Sequence, residues 1–209
     1  MIYSNKDRLV QMFGPKCSVI NLNGELTEFI NVPTRQIKFC EAVNQSFKVP
    51  IMINSDNLGC PGARRCIGFQ NVNGQLATKI SDENNIPVKF IRNALGKIPV
   101  MKDITHINLG LTKCIENDIQ PDLYIMYVQP FKITELMHKL SKMSLLPSVP
   151  PFTFLSVCGN VFANCYLTQK VTISFGCPES RESGGIGEDE IVVGLPFSVA
   201  DSLLHYYDD

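Results

Sequence analysis

The chain has 209 residues, 44% of them hydrophobic and 19% charged, which supports a packed core and argues against wholesale disorder. A formal net charge of −1 lacks the basic excess of a dedicated nucleic-acid binder, and no apolar run reaches the ~18 residues of a membrane span. The N-terminal "MIYSNKDRLVQMFG" carries Lys6, Asp7 and Arg8 and has no apolar signal core, so the chain reads as cytoplasmic, with its eight cysteines mostly reduced.

Residues 4–13 read as a short helix with Ser4 or Asn5 as cap. "SVINLNGEL" reads as a strand ending in an Asn-Gly turn. Thr34 is placed to cap a helix over "RQIKFCEAVNQSF", and "VPIMIN" (49–54) is a short strand. "SDNLGCPGARRCIGF" then brings two thiols and two arginines into one corner. After an Asn73-Gly74 turn, "SDENNIPVKFIRNALG" reads as one helix, capped by Ser81 or Asp82 and ended by Gly96. "HINLGL" and "LYIMYVQ" are strands. "KITELMHKLSKMSLL" is an amphipathic helix with Ile133, Leu136, Met137, Leu140 and Met143 on one stripe. "LPSVPP" (146–151) is a proline-rich break. The remainder reads as a strand "FTFLSV", a helix after Cys158, a strand "VTISF", a polar Gly-rich loop "PESRESGGIGEDE", a strand "IVVGL" and a terminal helix around "SVADSLLHYY". The expected fold class is therefore α/β or α+β, a mixed sheet flanked by helices in one compact domain over 1–209, with 146–151 as the candidate lobe break.

The cysteines form a pattern. Cys60, Cys158 and Cys177 each stand at or just beyond the carboxyl end of an expected strand, where open α/β sheets bind ligands. If those strands are parallel neighbours, three thiols meet at one rim, and Cys40 on its helix supplies a fourth. Four thiolates suit an iron–sulfur cluster or a structural zinc. No C-x2-C is present, so local spacing adds nothing. On a helix, Cys60 and Cys66 point roughly 240° apart, and Cys158 and Cys165 lie about 10 Å apart, so Cys66 and Cys165 rank second. Cys17 and Cys114 have nothing beside them that argues for a site. The competing reading of every cysteine is a small buried hydrophobe. Arg64, Arg65 and Arg181 are near enough in sequence to lower a thiol pKa or bind an anion; the bland reading is solvated or ion-paired arginines.

Other motifs exclude more than they suggest. "GCPGARRCIGF" is neither a dinucleotide fingerprint nor a P-loop. "SGGIGEDE" has glycines for an anion cradle, but Glu188, Asp189 and Glu190 oppose one. His106, His138 and His205 lack local partners at metal spacing, and "FLSVCG" is not a nucleophile elbow.

At Cys60-Pro61-Gly62-Ala63, Cys158-Gly159, Gly176-Cys177 with Ser180-Arg181, and Glu190 leading to Pro196, the chain resembles an uncharacterised prokaryotic family, domain of unknown function 169, frequent in archaea and anaerobes. The resemblance spans most of the chain, and Cys40 matches a cysteine usual in the helix before the first motif. Cys66 and Cys165 depart from the pattern. The resemblance implies no activity, but its four cysteines are the four that the strand-end argument selects.

The leading expectation is a site formed or lined by Cys40, Cys60, Cys158 and Cys177. It would bind a [4Fe–4S] cluster, with zinc as the alternative metal. Arg64, Arg65 and Arg181 would stabilise its charge or orient an anionic ligand. The expected partner is a redox protein or a small anion, with no nucleic acid and no membrane. A second expectation is a non-enzymatic module that holds a small anion or a tetrapyrrole-like cofactor through the three arginines and the loop 183–188. A third is a thiol redox enzyme with one accessible low-pKa cysteine.

Overall fold

In the computed structural model, which describes residues 5–24, 30–70, 73–110, 120–149 and 154–206, one antiparallel sheet separates two helical layers. In chain order the elements are α1 (Asn5–Phe13), β1 (Cys17–Leu22), α2 (Phe39–Ser46), β2 (Ile51–Asn54), α3 (Pro61–Ile67), α4 (Asn73–Asn84), α5 (Val88–Lys97), β3 (His106–Leu109), β4 (Leu123–Val128) and α6 (Pro130–Lys142). A π-helical segment (Ser156–Ala163) then runs into α7 (Asn164–Thr168). β5 (Thr172–Ser174), α8 (Pro178–Gly184), β6 (Ile191–Pro196) and α9 (Phe197–His205) complete the chain. The strand order is β2-β3-β1-β4-β6-β5, with every pairing antiparallel. Among the described residues, no helix is long and apolar enough to cross a membrane.

Strand alternation sorts the core into two faces. Leu123, Ile125 and Tyr127 of β4 join Ile20 and Val192 on the face covered by α2, α3, α4, α5 and the π segment. Tyr124, Met126 and Val128 join Val19, Val193 and Leu195 on the face covered by α1, α6 and α9. β4 is buried on both sides, which explains its unbroken apolar run "LYIMYV". The amphipathic stripe of α6 enters the second face through Ile133, Leu136 and Leu140.

The mixed α/β class, a sheet flanked by helices, is the expected one; the sheet itself is antiparallel in all its described strand pairings and not mixed. No parallel neighbours carry the cysteines, because the described sheet is antiparallel and β2 and β5 lie at its opposite edges. "FTFLSV" is not a strand over its described residues 154–157: Leu155 adopts φ 50, and a π turn follows. Leu155 O accepts from both Gly159 N and Asn160 N (2.9 Å each), and Asn160 Nδ2 donates to Phe154 O (3.1 Å), so local bonds replace a sheet ladder. A short apolar run fits helix or strand equally well by periodicity.

The helix expected over 81–96 is two helices. Pro87 offers no N–H and holds Ile86 out of the helical region, while Asn85 turns at φ 52. Ser81 caps nothing at an N-terminus; its Oγ donates to Ile86 O (2.7 Å) and closes the break. The Asn73-Gly74 pair starts α4 instead of forming a turn. Residues 35–38 stay outside the helix, where Ile37 bridges Leu58. Part of the expected Gly-rich loop is α8, started by Pro178 in its first turn.

Candidate functional site

Two Cys-Pro steps position two of the thiols. Cys60 is the N-cap of α3 and Cys177 the N-cap of α8, and proline occupies the first turn of each helix. The fixed φ of proline suits that turn, and its missing N–H is an orphan there anyway. The backbone amides of Ala63 and Gly62 face the Cys60 sulfur and favour its ionised form, although the side chain makes no cap hydrogen bond. Cys177 and Ser180 cap each other reciprocally, with Cys177 N donating to Ser180 Oγ (2.8 Å). This repeated Cys-Pro helix start was visible in the sequence, and it explains the placement that parallel strand ends do not.

Cys40, the second residue of α2, is buried where α2 crosses α8. Gly184 permits that crossing: a Cβ there would stand 2.9 Å from Cys40 Cβ. Cys158 lies on the π segment, which Ser156 ties to β5 through Ser174 Oγ (2.7 Å) and Val161 ties to Thr172 Oγ1 (3.1 Å). π turns interrupt helices most often at functional sites. Gly62 leaves room for Leu155, whose Cδ2 would lie 2.1 Å from a Cβ at that position.

The result is one recess of about 40 Å³ lined by Cys40, Cys60, Cys158 and Cys177 together with Phe39, Leu155, Glu179 and Ser180. It adjoins a wider cleft of about 290 Å³ that shares Cys60, Leu155, Cys177 and Glu179 with it. Cys60 and Cys177 are partly exposed; Cys40 and Cys158 are buried. Among the described residues, no group of three or more His, Cys, Asp and Glu side chains is positioned to hold a metal ion.

Cys40 and Cys60 are held as neutral thiols, chiefly by burial. The Cys40 thiol is pushed up to about 12 by desolvation, with Cys60 and Cys177 adding like-charge repulsion. Burial also pushes Cys60 up, against the lowering effect of its amide donors. Cys66 forms a pair behind Cys158: the Cys158 thiol donates to the Cys66 sulfur, and Arg65 Nη1 lies 4.0 Å from that sulfur. Cys66 is therefore held low and Cys158 high, so Cys66 gives up its proton first. Helix spacing separated Cys66 from Cys60, but nothing in the sequence signalled its contact with Cys158.

The other cysteines lie elsewhere. Cys165 bonds Thr172 and stands against Gly194, and Cys17 is buried on the opposite face of the sheet. Cys114 falls outside the described residues. His106 holds Gly24 O through Nε2 (2.8 Å).

Each of the three arginines holds main chain. Arg64 Nη1 donates to Ser55 O (2.5 Å) and Leu58 O (2.9 Å), fastening the loop before α3. Arg181 Nη1 and Nη2 donate to Gly187 O (2.7 Å) and Phe175 O (2.6 Å), closing the loop after α8. Arg65 is buried and donates to Leu95 O (2.6 Å) and Ile98 O (3.3 Å) at the end of α5. Arg65→Met should destabilise the protein by about 3 kcal/mol, because those carbonyls lose a charged donor with no water to replace it. Urea denaturation checks this, and Arg65→Lys should recover only part of the loss, since one ammonium cannot span both carbonyls as the guanidinium fork does.

Burial of thiols also sets an alkaline limit. Cys17 and Cys40 are pushed up to about 12 from an ordinary value of 9.0. Their folded pKa exceeds the unfolded one, so the stability they contribute is complete below about 9 and falls as pH rises toward 12. The slope is roughly 1 kcal/mol per pH unit for each group. Urea midpoints measured across that window should fall steadily, and Cys17→Val should flatten the fall.

No curated protein and no solved structure shows significant similarity to the chain. The family model of domain of unknown function 169, described as an uncharacterised ArCR family, matches residues 19–205. That match covers most of the chain and takes in all four recess cysteines and their helix starts, so the chain belongs to this family.

Proposed function

We propose that the cysteine recess is the seat of a [4Fe–4S] cluster, ligated by Cys40, Cys60, Cys158 and Cys177, and that the protein serves electron transfer with a redox partner. The observation that carries the reading is the joint lining of one recess by these four thiols, delivered by α2, the start of α3, the π segment and the start of α8. The donor set suits the group, since cluster irons are held by cysteine thiolates in fours. Since no three of these side chains are positioned around one ion among the described residues, a cluster suits the recess better than a single ion: a tetrahedral zinc draws every sulfur to about 2.3 Å of one point, whereas a cluster offers each thiolate its own iron. The adjoining cleft gives the recess room on the side of Cys60 and Cys177.

When bound, such a cluster supplies one-electron transfer. The chain's own part is to hold the thiolates. Amide donors at the start of α3 meet Cys60, and the reciprocal cap at α8 fixes Cys177. Apolar neighbours Phe39 and Leu155 exclude water from one side of the recess. With Arg64, Arg65 and Arg181 engaged by carbonyls, a cysteine-based site is better supported than an arginine-based anion site.

Anaerobic reconstitution with ferrous iron and sulfide tests the reading. A brown protein with iron and acid-labile sulfide in the amounts of one four-iron cluster per chain is expected. Absence of both after reconstitution overturns it. Uptake of zinc alone assigns the thiols to a structural metal.

A further inference from the structure

The cleft beside the recess has walls of its own. Leu76 and Ile80, one turn apart on α4, line it together with Ile86, Phe154, Leu155 and Pro61. Leu76 and Ile80 are almost wholly buried, whereas Ile86, Phe154 and Leu155 are partly exposed. Cys60 and Cys177, both partly exposed, line it where it meets the recess. Gly62 sets the inner end: the Leu155 side chain occupies the place of a Cβ there, and Cys60 Sγ stands 3.9 Å from that place. At about 290 Å³ the cleft is at the small end of pockets that hold ligands, which run from roughly 300 to 1,000 Å³.

Charge narrows the occupant. The charged side chains among the described lining residues are Lys79, Glu83 and Glu179, two carboxylates against one ammonium. Each is exposed and already ion-paired, Lys79 Nζ with Glu83 Oε1 (3.7 Å) and Glu179 Oε1 with Lys38 Nζ (3.1 Å). An anionic ligand would meet a net negative rim and lose its hydration against apolar walls, which is costly without a matching cation. A neutral ligand meets neither penalty. The wall favours a ring: Phe154 offers an aromatic face or edge to pack against, and sulfur is soft and polarisable beside aromatic carbon.

We propose that this cleft binds a small neutral aromatic compound, its rings against Leu76, Ile80, Ile86 and Phe154 and any polar substituent turned to the Lys79–Glu83 rim. Binding rests on the cleft alone. That the compound is the small-molecule partner of the cysteine recess rests on the cluster reading above.

Two dyes with the same rings test the ligand class on the 209-residue chain. N-phenyl-1-naphthylamine is neutral and fluoresces in apolar surroundings; 8-anilino-1-naphthalenesulfonate adds a fixed negative charge. The neutral dye should saturate at about one per chain and bind about tenfold more tightly than the sulfonate, a difference of about 1.4 kcal/mol. Equal or tighter binding of the sulfonate overturns the neutral class, and absence of saturable binding overturns the site. Location is read by iodoacetamide labelling of the metal-free protein and peptide mass spectrometry. With the neutral dye at ten times its Kd, labelling of Cys60 and Cys177 should slow about tenfold; unchanged rates overturn the placement. Phe154→Ala should weaken dye binding about tenfold, and undiminished binding in the folded variant overturns the aromatic wall. If that variant does not fold, labelling protection in the parent protein decides. None of these readouts needs iron, so failed reconstitution removes the cluster reading and leaves the cleft, and a loaded protein that binds no dye does the reverse.

Discussion

Cys158→Ser should reduce iron and acid-labile sulfide to background on anaerobic reconstitution, whereas Cys17→Ser should load like the parent. Both thiols are buried, so the contrast isolates position. Cys158 lies on the π segment and lines the recess; Cys17 faces the other side of the sheet. Serine is smaller than cysteine, and its hydroxyl is a hard, poorly acidic donor that does not replace a thiolate on iron. Its stability cost is of order 1 kcal/mol, so circular dichroism can establish that both variants fold. Cys66→Ser is the sharper comparison. Cys66 touches Cys158 but does not line the recess, so its loss should leave loading in place. Normal loading of Cys158→Ser together with failure of Cys66→Ser would reassign the fourth ligand to Cys66.

Gly68→Ala should destabilise the protein by about 3–5 kcal/mol. Gly68 ends α3, the helix that begins at Cys60, and adopts φ 87, where an L side chain is strained. Space adds to conformation: a Cβ would lie 2.3 Å from the Met101 carbonyl oxygen. That carbonyl cannot retreat easily, because Met101 is buried and its N–H donates to Cys66 O (2.8 Å). The bonds that close the helix, Gly68 N to Arg65 O (3.1 Å) and Phe69 N to Arg64 O (2.8 Å), depend on the same left-handed turn. Gly96→Ala in α5 supplies the control. Nothing lies within 4 Å of its Cβ position and the backbone is helical, so it should gain up to about 1 kcal/mol. Urea denaturation of the two variants should move in opposite directions; a Gly68→Ala midpoint equal to that of the parent would contradict the packing described for α3.

The sites of these two variants illustrate what a linear reading reaches. Cys158 is recognisable as one of four cysteines with family-like surroundings, but its backbone is not: "FTFLSV" has the composition of a strand and carries a left-handed Leu155 followed by a π turn. Gly68 resembles any glycine after a helix, and only the approach of Met101 reveals its cost. The arginines mislead for a similar reason. Adjacent positive charge beside thiols suggests an anion site, yet a guanidinium is equally suited to gather loose carbonyls at helix ends and loops, and burial decides which it does.

The sequence by itself determined the α/β class, most of the elements, the α6 stripe and the grouping of four cysteines as candidates, because period, turn residues and residue chemistry are local properties. The tertiary structure alone decided that β2 and β5 lie at opposite edges, that Cys60 and Cys177 come together through helix starts folded over one face, and that Cys66 pairs with Cys158. Those relations arise from packing between segments far apart in the chain, where a missing Cβ at Gly62, Gly184 or Gly159 sets how closely two backbones approach.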